Sequence, residues 1–217
     1  MRRLGGGLVL FLALATPAYS WAQEGDPPAA PAAIAQELIA QASAEDLFEL
    51  VAAEHLVAVR HSRSGLVCRM DPDSRNRIVI FAQAARGEDV ACDSTDGRES
   101  VTLYATRFSF ETDLDEQIAG AENAVRHRFP NAEPYSATIE ESADSAAPAS
   151  RSMQFIVARQ DGARMYTRAS VALVDGWAIK LRYTVVAPDD ETARQGELTS
   201  ALLWRSVLAE IAASPAS

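Results

Sequence analysis

The sequence is poor in the residue types that most catalytic and cofactor sites use. Among its 217 residues there are two cysteines, three histidines and a single lysine, Lys180. The two cysteines lack the C-x-x-C spacing of a redox-active pair, and with three scattered histidines they are too few ligands for a metal site. No catalytic, cofactor or nucleic-acid motif is present, and the G-x-S-x-G elbow of serine hydrolases is missing. The sequence therefore predicts no catalytic residue, no bound metal and no cofactor.

Positive charge is also in short supply. Twenty Lys and Arg stand against 30 Asp and Glu, which gives a formal net charge of −10. Nucleic acids and anionic lipid surfaces are bound mainly through clustered Lys and Arg. An acidic chain of this kind is therefore not expected to bind nucleic acid, and its charge is expected to keep molecules apart in solution.

Only one long apolar run occurs, and it lies at the N-terminus. Two arginines precede the run Leu4–Thr16, and small residues follow it. This order is typical of a secretory signal peptide over residues 1–22, with cleavage after Ser20 or after Ala22. The run is shorter than the ~20 apolar residues of a membrane span, so no stable membrane insertion is expected after cleavage.

The expected compartment bears on the cysteines. Arginine in place of lysine, together with abundant alanine, indicates a GC-rich bacterial genome, so the exported chain is expected in the periplasm or the medium. Disulfides form and persist in such oxidising compartments, and an even number of cysteines favours a bridge. The sequence predicts a disulfide between Cys68 and Cys92, for which the chain-entropy argument gives about 3.5 kcal/mol.

Composition divides the rest of the chain into a tether and one domain. Residues 23–31 contain three prolines and predict a flexible tether. We expect residues 32–212 to form one α+β domain with a mobile loop near 140–150, where Ala, Ser, Glu and Pro show no periodicity. The segment Ala32–Ala42 predicts a short helix. Leu47–Val51 fits either a second helix or a strand, because so few residues carry no decisive period.

Two further segments have a helical period, and the remainder predicts antiparallel strands. Asp113–Arg128 has one apolar face, acids at its start and basic residues at its end, which complements a helix dipole. The segment from Asp189 to about Ala212 predicts a terminal helix with a wide apolar face. The expected strands are, in order, Val57–His61, Leu66–Met70, Ile78–Phe81, Asp89–Asp93, Val101–Phe108, Met153–Val157, Met165–Leu173 and Trp177–Val185.

The last three strands are expected to form a unit with one buried face and one solvated face. Trp177 and its alternate neighbours would face the terminal helix, and Arg168, Lys180 and Arg182 would face solvent. The predicted fold class is therefore α+β, an antiparallel sheet with amphipathic helices packed on it.

The order of strands, amphipathic helix, long hairpins and terminal helix, with the segments Gly176–Arg182 and Leu202–Trp204, resembles PsbP-like α/β/α sandwich proteins. The elements Ser64–Cys68 and Tyr104–Arg107 are also similar to those of uncharacterised exported proteins of GC-rich bacteria. The resemblance extends over about Leu47–Ile211. It implies a sandwich fold and an accessory or binding role more than an enzyme, and it carries over no active-site residue.

Arginines crowd one segment of this acidic chain, and a smaller basic group lies on the C-terminal strands. If alternate members share a sheet face, they form a patch for an anion or a partner; the alternative is that they only keep strand surfaces and edges solvated. The candidate patch residues are Arg60, Arg63, Arg69, Arg168, Lys180 and Arg182, and Arg75 and Arg77 belong to the same crowded segment.

Two functions from different classes fit these observations. The favoured one is an exported soluble envelope protein that binds a protein or a small anionic ligand without catalysis. The alternative is a periplasmic hydrolase whose groups converge only in three dimensions. Ser62 and Ser64 near His61 give it little support, since neighbouring residues of a strand point to opposite faces. A concave pocket that gathers His61 or His127 with carboxylates would favour the hydrolase.

Overall fold

A computed structural model describes residues 30–136 and 147–213. The predicted signal peptide, most of the tether and most of the loop near 140–150 lie outside these ranges. The fold is α+β, with antiparallel sheets and helices packed against sheet, as the sequence predicts.

Three helices and ten strands are described. The helices α1 (Pro31–Gln41), α2 (Leu114–Arg128) and α3 (Asp190–Ala213) agree with the predicted segments to within one residue at each end. The strands are β1 (Phe48–Leu50), β2 (Val57–His61), β3 (Val67–Met70), β4 (Arg75–Ile80), β5 (Asp89–Thr95), β6 (Glu99–Arg107), β7 (Glu133–Pro134), β8 (Ser150–Ala158), β9 (Arg164–Val174) and β10 (Trp177–Val186).

Short-range sequence signals explain several element boundaries. The Asp113 side chain accepts a hydrogen bond from the Glu116 N–H at 2.8 Å, so an aspartate caps α2 at its first turn. Asp175 and Gly176, between β9 and β10, have φ angles of 49° and 78°. Tight two-residue hairpins need positive φ, and an Asp-Gly pair tolerates it best. The undecided segment Leu47–Val51 contains strand β1, so the strand alternative is confirmed.

The strands form two antiparallel sheets. The small sheet has the order β1-β2-β3, and the large sheet has the order β4-β5-β6-β10-β9-β8-β7. The β6–β10 pair joins strands that are distant in the sequence and sets Leu103 opposite Leu181. The predicted C-terminal unit of three strands is therefore part of a continuous seven-stranded sheet.

One face of the large sheet, here called the closed face, carries the main core. Ile78, Cys92, Leu103 and Leu181 lie side by side on it, in strands β4, β5, β6 and β10. They belong to one hydrophobic cluster with side chains of α1, the small sheet and α3. Cys92 is joined to Cys68 of β3 with an Sγ–Sγ distance of 2.04 Å, the pairing expected from the sequence.

Helix α3 approaches the closed face at a glycine. A Cβ atom at Gly196 would lie 2.8 Å from Cγ1 of Val185 and 3.1 Å from Cδ1 of Tyr166. The helix can reach this depth because Gly196 has no side chain. Trp177 of β10 and Trp204 of α3 are both buried in the same cluster, so each belongs to the core as expected.

The opposite face, here called the groove face, is covered over only part of its width. Helix α2 packs on β8 and β9, where Val125 and Phe129 meet Phe155 and Met165. A groove opens over the remaining strands β4, β5, β6 and β10.

The expected solvated side of the C-terminal unit is wrong for β9. Met165 and Ala169 are buried under α2, whereas Tyr166 and Arg168 are buried on the closed face. Arg168 is therefore not on the outer face with Lys180 and Arg182. Alternation fixes the two faces of each strand, but the register between strands decides which faces coincide: Arg168 stands opposite Tyr183, a closed-face residue.

Candidate functional site

The groove over β4, β5, β6 and β10 has a volume of about 900 Å³ and is the candidate functional site. Its lining is rich in arginine. The guanidinium-bearing residues are Arg75, Arg77, Arg98, Arg128, Arg159 and Arg182. The lining also includes Asp93 and Glu99, of which Glu99 turns its carboxylate to the closed face, so positive charge exceeds negative charge in a protein whose net charge is −10.

Different elements bring these arginines together. Arg75 and Arg77 are alternate residues of β4 and therefore share the groove face. Arg98 follows Gly97 in the turn between β5 and β6, where Gly97 has a φ of 92°. Arg182 lies on β10, in the row Arg77, Asp93, Thr102, Arg182 that crosses four neighbouring strands.

The wall of the groove comes from other parts of the chain. Arg128 is the last residue of α2, and Arg159 directly follows β8. Sequence analysis did not select Arg98, Arg128 or Arg159. Arg128 already had an explanation as a basic residue at a helix C-terminus, and no local pattern connects Arg98 or Arg159 with β4.

Both lining carboxylates have partners within the protein. Asp93 accepts a hydrogen bond from Arg77 Nε at 2.8 Å and another from the Thr102 hydroxyl at 2.8 Å. Glu99 accepts a hydrogen bond from the Tyr183 hydroxyl at 2.7 Å. These two carboxylates therefore already have hydrogen-bond partners. They do not neutralise most of the positive charge that the arginines bring to the groove.

Four of the six arginines form no salt bridge among the described residues. Arg77 pairs with Asp93, and Arg159 pairs with Asp161, which holds the pKa of Asp161 at about 2. The arginines without a salt bridge in residues 30–136 and 147–213 are Arg75, Arg98, Arg128 and Arg182. Their positive charges face a cavity of ligand size.

Arg128 and Arg182 are like charges placed close to one aromatic ring. The guanidinium carbon of Arg128 is 5.5 Å from the centroid of Phe129, and that of Arg182 is 6.0 Å from it. Nη2 of Arg182 is buried and has no hydrogen-bond partner in the described structure. Burial, and then the charge of Arg128, lower the pKa of Arg182. An anion between the two guanidinium groups would relieve this repulsion and supply the missing acceptor.

The groove also has an apolar end. The rings of Phe81 and Tyr104 stack with their centroids 6.4 Å apart. Both residues belong to the lining, as does Val79. The site thus joins a basic region to an aromatic shelf, a combination common in small-molecule sites, where apolar contact adds affinity and a few polar groups fix orientation.

The predicted patch residues are dispersed over the molecule. Arg60 pairs with Glu49 at 3.1 Å, Arg69 pairs with Glu210 at 2.7 Å, and Arg63 donates to the Arg86 carbonyl at 3.0 Å. None of these three lines the groove. Their crowding in the sequence therefore does not become a patch in space.

The C-terminal members of the predicted patch are divided between the two faces. Arg182 lines the groove, and Lys180 lies on the same face with its Nζ 5.5 Å from the Phe108 ring centroid. Burial lowers the pKa of Lys180. Arg168, 1% exposed on the closed face, donates from Nε to Ser170 and from Nη2 to Ser152, both at 2.8 Å.

His61 and Ser64 are closer than strand geometry suggested. Ser64 lies in the turn that follows β2, and its Oγ is 2.8 Å from His61 Nδ1. The same Oγ accepts the Leu66 N–H, and the two residues are 0% and 7% exposed. Burial, with a smaller contribution from the charge of Arg63, lowers the pKa of His61 from 6.5 to about 4. The pair is sealed in the core and stabilises a turn.

The described residues contain neither a metal-binding cluster nor a membrane-spanning helix. Residues 30–136 and 147–213 contain no group of three or more His, Cys, Asp and Glu side chains placed to hold a metal ion. Within the same ranges, no helix has the length and apolar character needed to cross a membrane.

No protein-family model matches the chain, and no curated protein matches it.

Proposed function

We propose that this chain is a non-catalytic binding module whose groove takes an anionic ligand with two or more negatively charged groups. The observation that carries the proposal is the pair Arg128 and Arg182. Within residues 30–136 and 147–213 neither guanidinium group forms a salt bridge, and the buried Nη2 of Arg182 has no acceptor. Arg128 is exposed and Arg182 is half-buried, and no acid of the described residues neutralises either charge. A ligand would supply the acceptor that the buried Nη2 of Arg182 lacks there, and an unsatisfied buried donor is costly.

The spacing of the arginines sets the minimum size of the ligand. Arg77 and Arg182 are three strands apart in one row, which corresponds to about 14 Å at the usual strand spacing. A single phosphate or carboxylate contacts one end of this row only. A ligand with several anionic groups can engage both ends, and arginine binds each group with two parallel hydrogen bonds.

The hydrolase alternative receives less support from the groove. Its described lining contains Asp93 and Glu99 but neither His61 nor His127. Both acids already accept hydrogen bonds from protein side chains, and His61 is buried on the other side of the large sheet. A groove that is lined by arginines and has no general base positioned in its described lining suits binding more than bond cleavage.

The expected location fits a binding role. We propose that the protein is exported to the periplasm or the medium of a bacterium through its N-terminal signal and acts there as an accessory module, in line with the resemblance to PsbP-like sandwiches. The Cys68–Cys92 bridge is compatible with an oxidising compartment.

Isothermal titration calorimetry with two probes, tripolyphosphate and citrate, tests the proposal. We expect at least one probe to bind, more weakly as salt rises, and its Kd to increase about tenfold or more in Arg182→Gln, because a charge-assisted bidentate contact is lost. Arg205→Gln on the exposed side of α3 is the matched control and should leave the Kd unchanged. Failure of both probes to bind, or equal Kd values in the two variants, would overturn the proposal.

A further inference from the structure

Strand β4 is an edge of the large sheet. It pairs with β5 on one side, and no described strand pairs with it on the other. Helix α1 contacts β4, but its buried residues belong to the closed-face core. A row of backbone donors and acceptors at a sheet edge is a template for a further strand.

The pattern of hydrogen bonds between β4 and β5 identifies the residues of β4 whose backbone groups lie at the free edge. The N–H of Phe81, just beyond β4, donates to the Asp89 carbonyl at 3.0 Å. Because hydrogen-bonded pairs alternate in an antiparallel ladder, Val79, Arg77 and Arg75 also turn their backbone groups toward β5. The backbone groups of the residues between them point out of the sheet, and these residues are Asn76, Ile78 and Ile80.

The side chains along this edge specify what could pair with it. Arg75, Arg77 and Val79 alternate on the groove face, and the Arg77 side chain is 69% exposed. Residues directly opposite on paired strands have Cβ atoms about 5 Å apart, where opposite charges attract and like charges repel. An added strand would therefore be favoured by acidic residues opposite the two arginines and by an apolar residue opposite Val79. Arg77 already donates from Nε to Asp93, so an acid opposite it would add a second contact.

We propose that the edge of β4 binds an extended acidic segment of a partner protein by strand addition, with two acids at alternate positions and an apolar residue two positions further along. The proposal goes beyond the anion site at Arg128 and Arg182, since it needs the backbone of β4 and the side chains of Arg75 and Arg77. Main-chain hydrogen bonds supply affinity in this mode of recognition, and alternate side chains supply specificity.

The same arginines argue against a second copy of this chain as the occupant. Pairing of two β4 edges would bring four arginines onto one side of the new ladder. Like charges on paired strands are destabilising. The arginines therefore disfavour pairing of two β4 edges and favour pairing with an acidic strand.

Fluorescence anisotropy with labelled seven-residue peptides tests the proposal. The peptides carry the pattern acid-x-acid-x-apolar, or its reverse, in a Val/Thr background, because a parallel and an antiparallel strand present the pattern in opposite orders. We expect one order to bind purified protein, and Arg75→Gln with Arg77→Gln to raise its Kd about tenfold or more. Arg205→Gln is the matched control. A peptide with lysine at the acidic positions should not bind.

Backbone methylation separates strand addition from simple charge attraction. N-methyl groups on one set of alternate amides should abolish binding, and the same number on the other set should have little effect, since only one set faces β4. Equal binding of the two methylated peptides, absence of binding in both orders, or dimerisation of the protein through β4 in sedimentation experiments would overturn the proposal. The groove proposal fails separately, if tripolyphosphate and citrate binding does not depend on Arg182.

Discussion

The closed face and the groove face of the large sheet treat the same residue type in opposite ways. On the closed face, Arg168 is 1% exposed, donates hydrogen bonds to Ser152 and Ser170, and is near the buried carboxylate of Glu197. Burial lowers its pKa to about 10, and the charge of Glu197 acts in the opposite direction. On the groove face, Arg182 is half-buried and lies near Arg128, and its Nη2 has no acceptor in the part of the chain that the structure describes.

The two arginines differ in what satisfies their charge: the fold itself for Arg168, and, as we propose, a bound ligand for Arg182. The charge of Arg168 is satisfied by groups that the fold itself supplies, so it contributes to a specific core. The charge of Arg182 meets another cation, so the fold gains nothing from the pair and a ligand can gain from both.

Removal of a large aromatic side chain should separate the two faces most strongly. We expect Trp177→Ala to lower the free energy of unfolding by about 4 kcal/mol, because Trp177 is 2% exposed in the main cluster and its loss leaves a cavity. Tyr104→Ala in the groove should cost about 1 kcal/mol, since Tyr104 is half-buried and stacks mainly on Phe81. Urea unfolding measures both values, and similar losses would contradict the division into faces.

The disulfide ties the small sheet to the closed face. The double variant Cys68→Ala with Cys92→Ala should lose about 3.5 kcal/mol of unfolding free energy, mainly because the unfolded chain is no longer cross-linked. Denaturant titration of the oxidised protein and of the variant gives this difference. Reduced wild-type protein should unfold at the same midpoint as the variant; a midpoint like that of oxidised protein would show that the bridge adds no stability.

Replacement of each arginine by methionine tests the comparison directly. Arg168→Met should cost about 3 kcal/mol, because it removes one buried and one part-buried hydrogen bond and a cation near the buried carboxylate of Glu197. Arg182→Met should change stability by less than about 0.5 kcal/mol and should weaken anion binding instead. Thermal unfolding and calorimetry on both variants check this. An unstable Arg182→Met protein would mean that the groove cation is structural.

Acid should weaken the closed face through His61. The pKa of His61 is about 4 in the folded protein, and the ordinary value of 6.5 applies to the unfolded chain. As the pH falls, the unfolded state therefore binds the proton first. Stability is therefore retained above pH 6.5 and lost between pH 6.5 and 4, and the part lost between pH 7 and 5 is about 2 kcal/mol.

Unfolding free energies of wild type, His61→Gln and His127→Gln at several pH values measure this loss. The His61 variant should have a flatter pH dependence than wild type, whatever its absolute stability. His127→Gln, at an exposed position near the end of α2, is the control substitution. An unchanged slope in His61→Gln would refute the assignment.

Most of the secondary structure could be predicted from the sequence because its causes are local. Asp113 caps α2, and Asp175 with Gly176 supplies the positive φ angles of a hairpin. The short segment Leu47–Val51 stayed undecided because it becomes a strand only by pairing with β2, where Phe48 stands opposite His61. Pairing with a distant strand is not visible in so short a pattern.

The candidate site was only partly predictable. Arg182 is among the predicted patch residues, on the expected solvated face of the C-terminal strands, and Arg75 and Arg77 belong to the crowded segment. Arg128 and Arg159 were missed, since they join the groove only through the packing of α2 on β8 and β9. Arg168 was assigned to the wrong face, because the sequence shows alternation within β9 and not its register with β10.

The types of secondary structure, the turns, the acidic balance and the arginine content all follow from the amino-acid sequence. These depend on neighbouring residues, and their physical causes act over a few positions of the chain. The tertiary structure alone decided which arginines meet. The β6–β10 pair and the incomplete cover of α2 bring cations from β4, β10 and the end of α2 around one groove, while α3 buries Arg168 near Glu197. Charges interact through space and not along the chain, so only the folded arrangement distinguishes a matched arginine from an unmatched one.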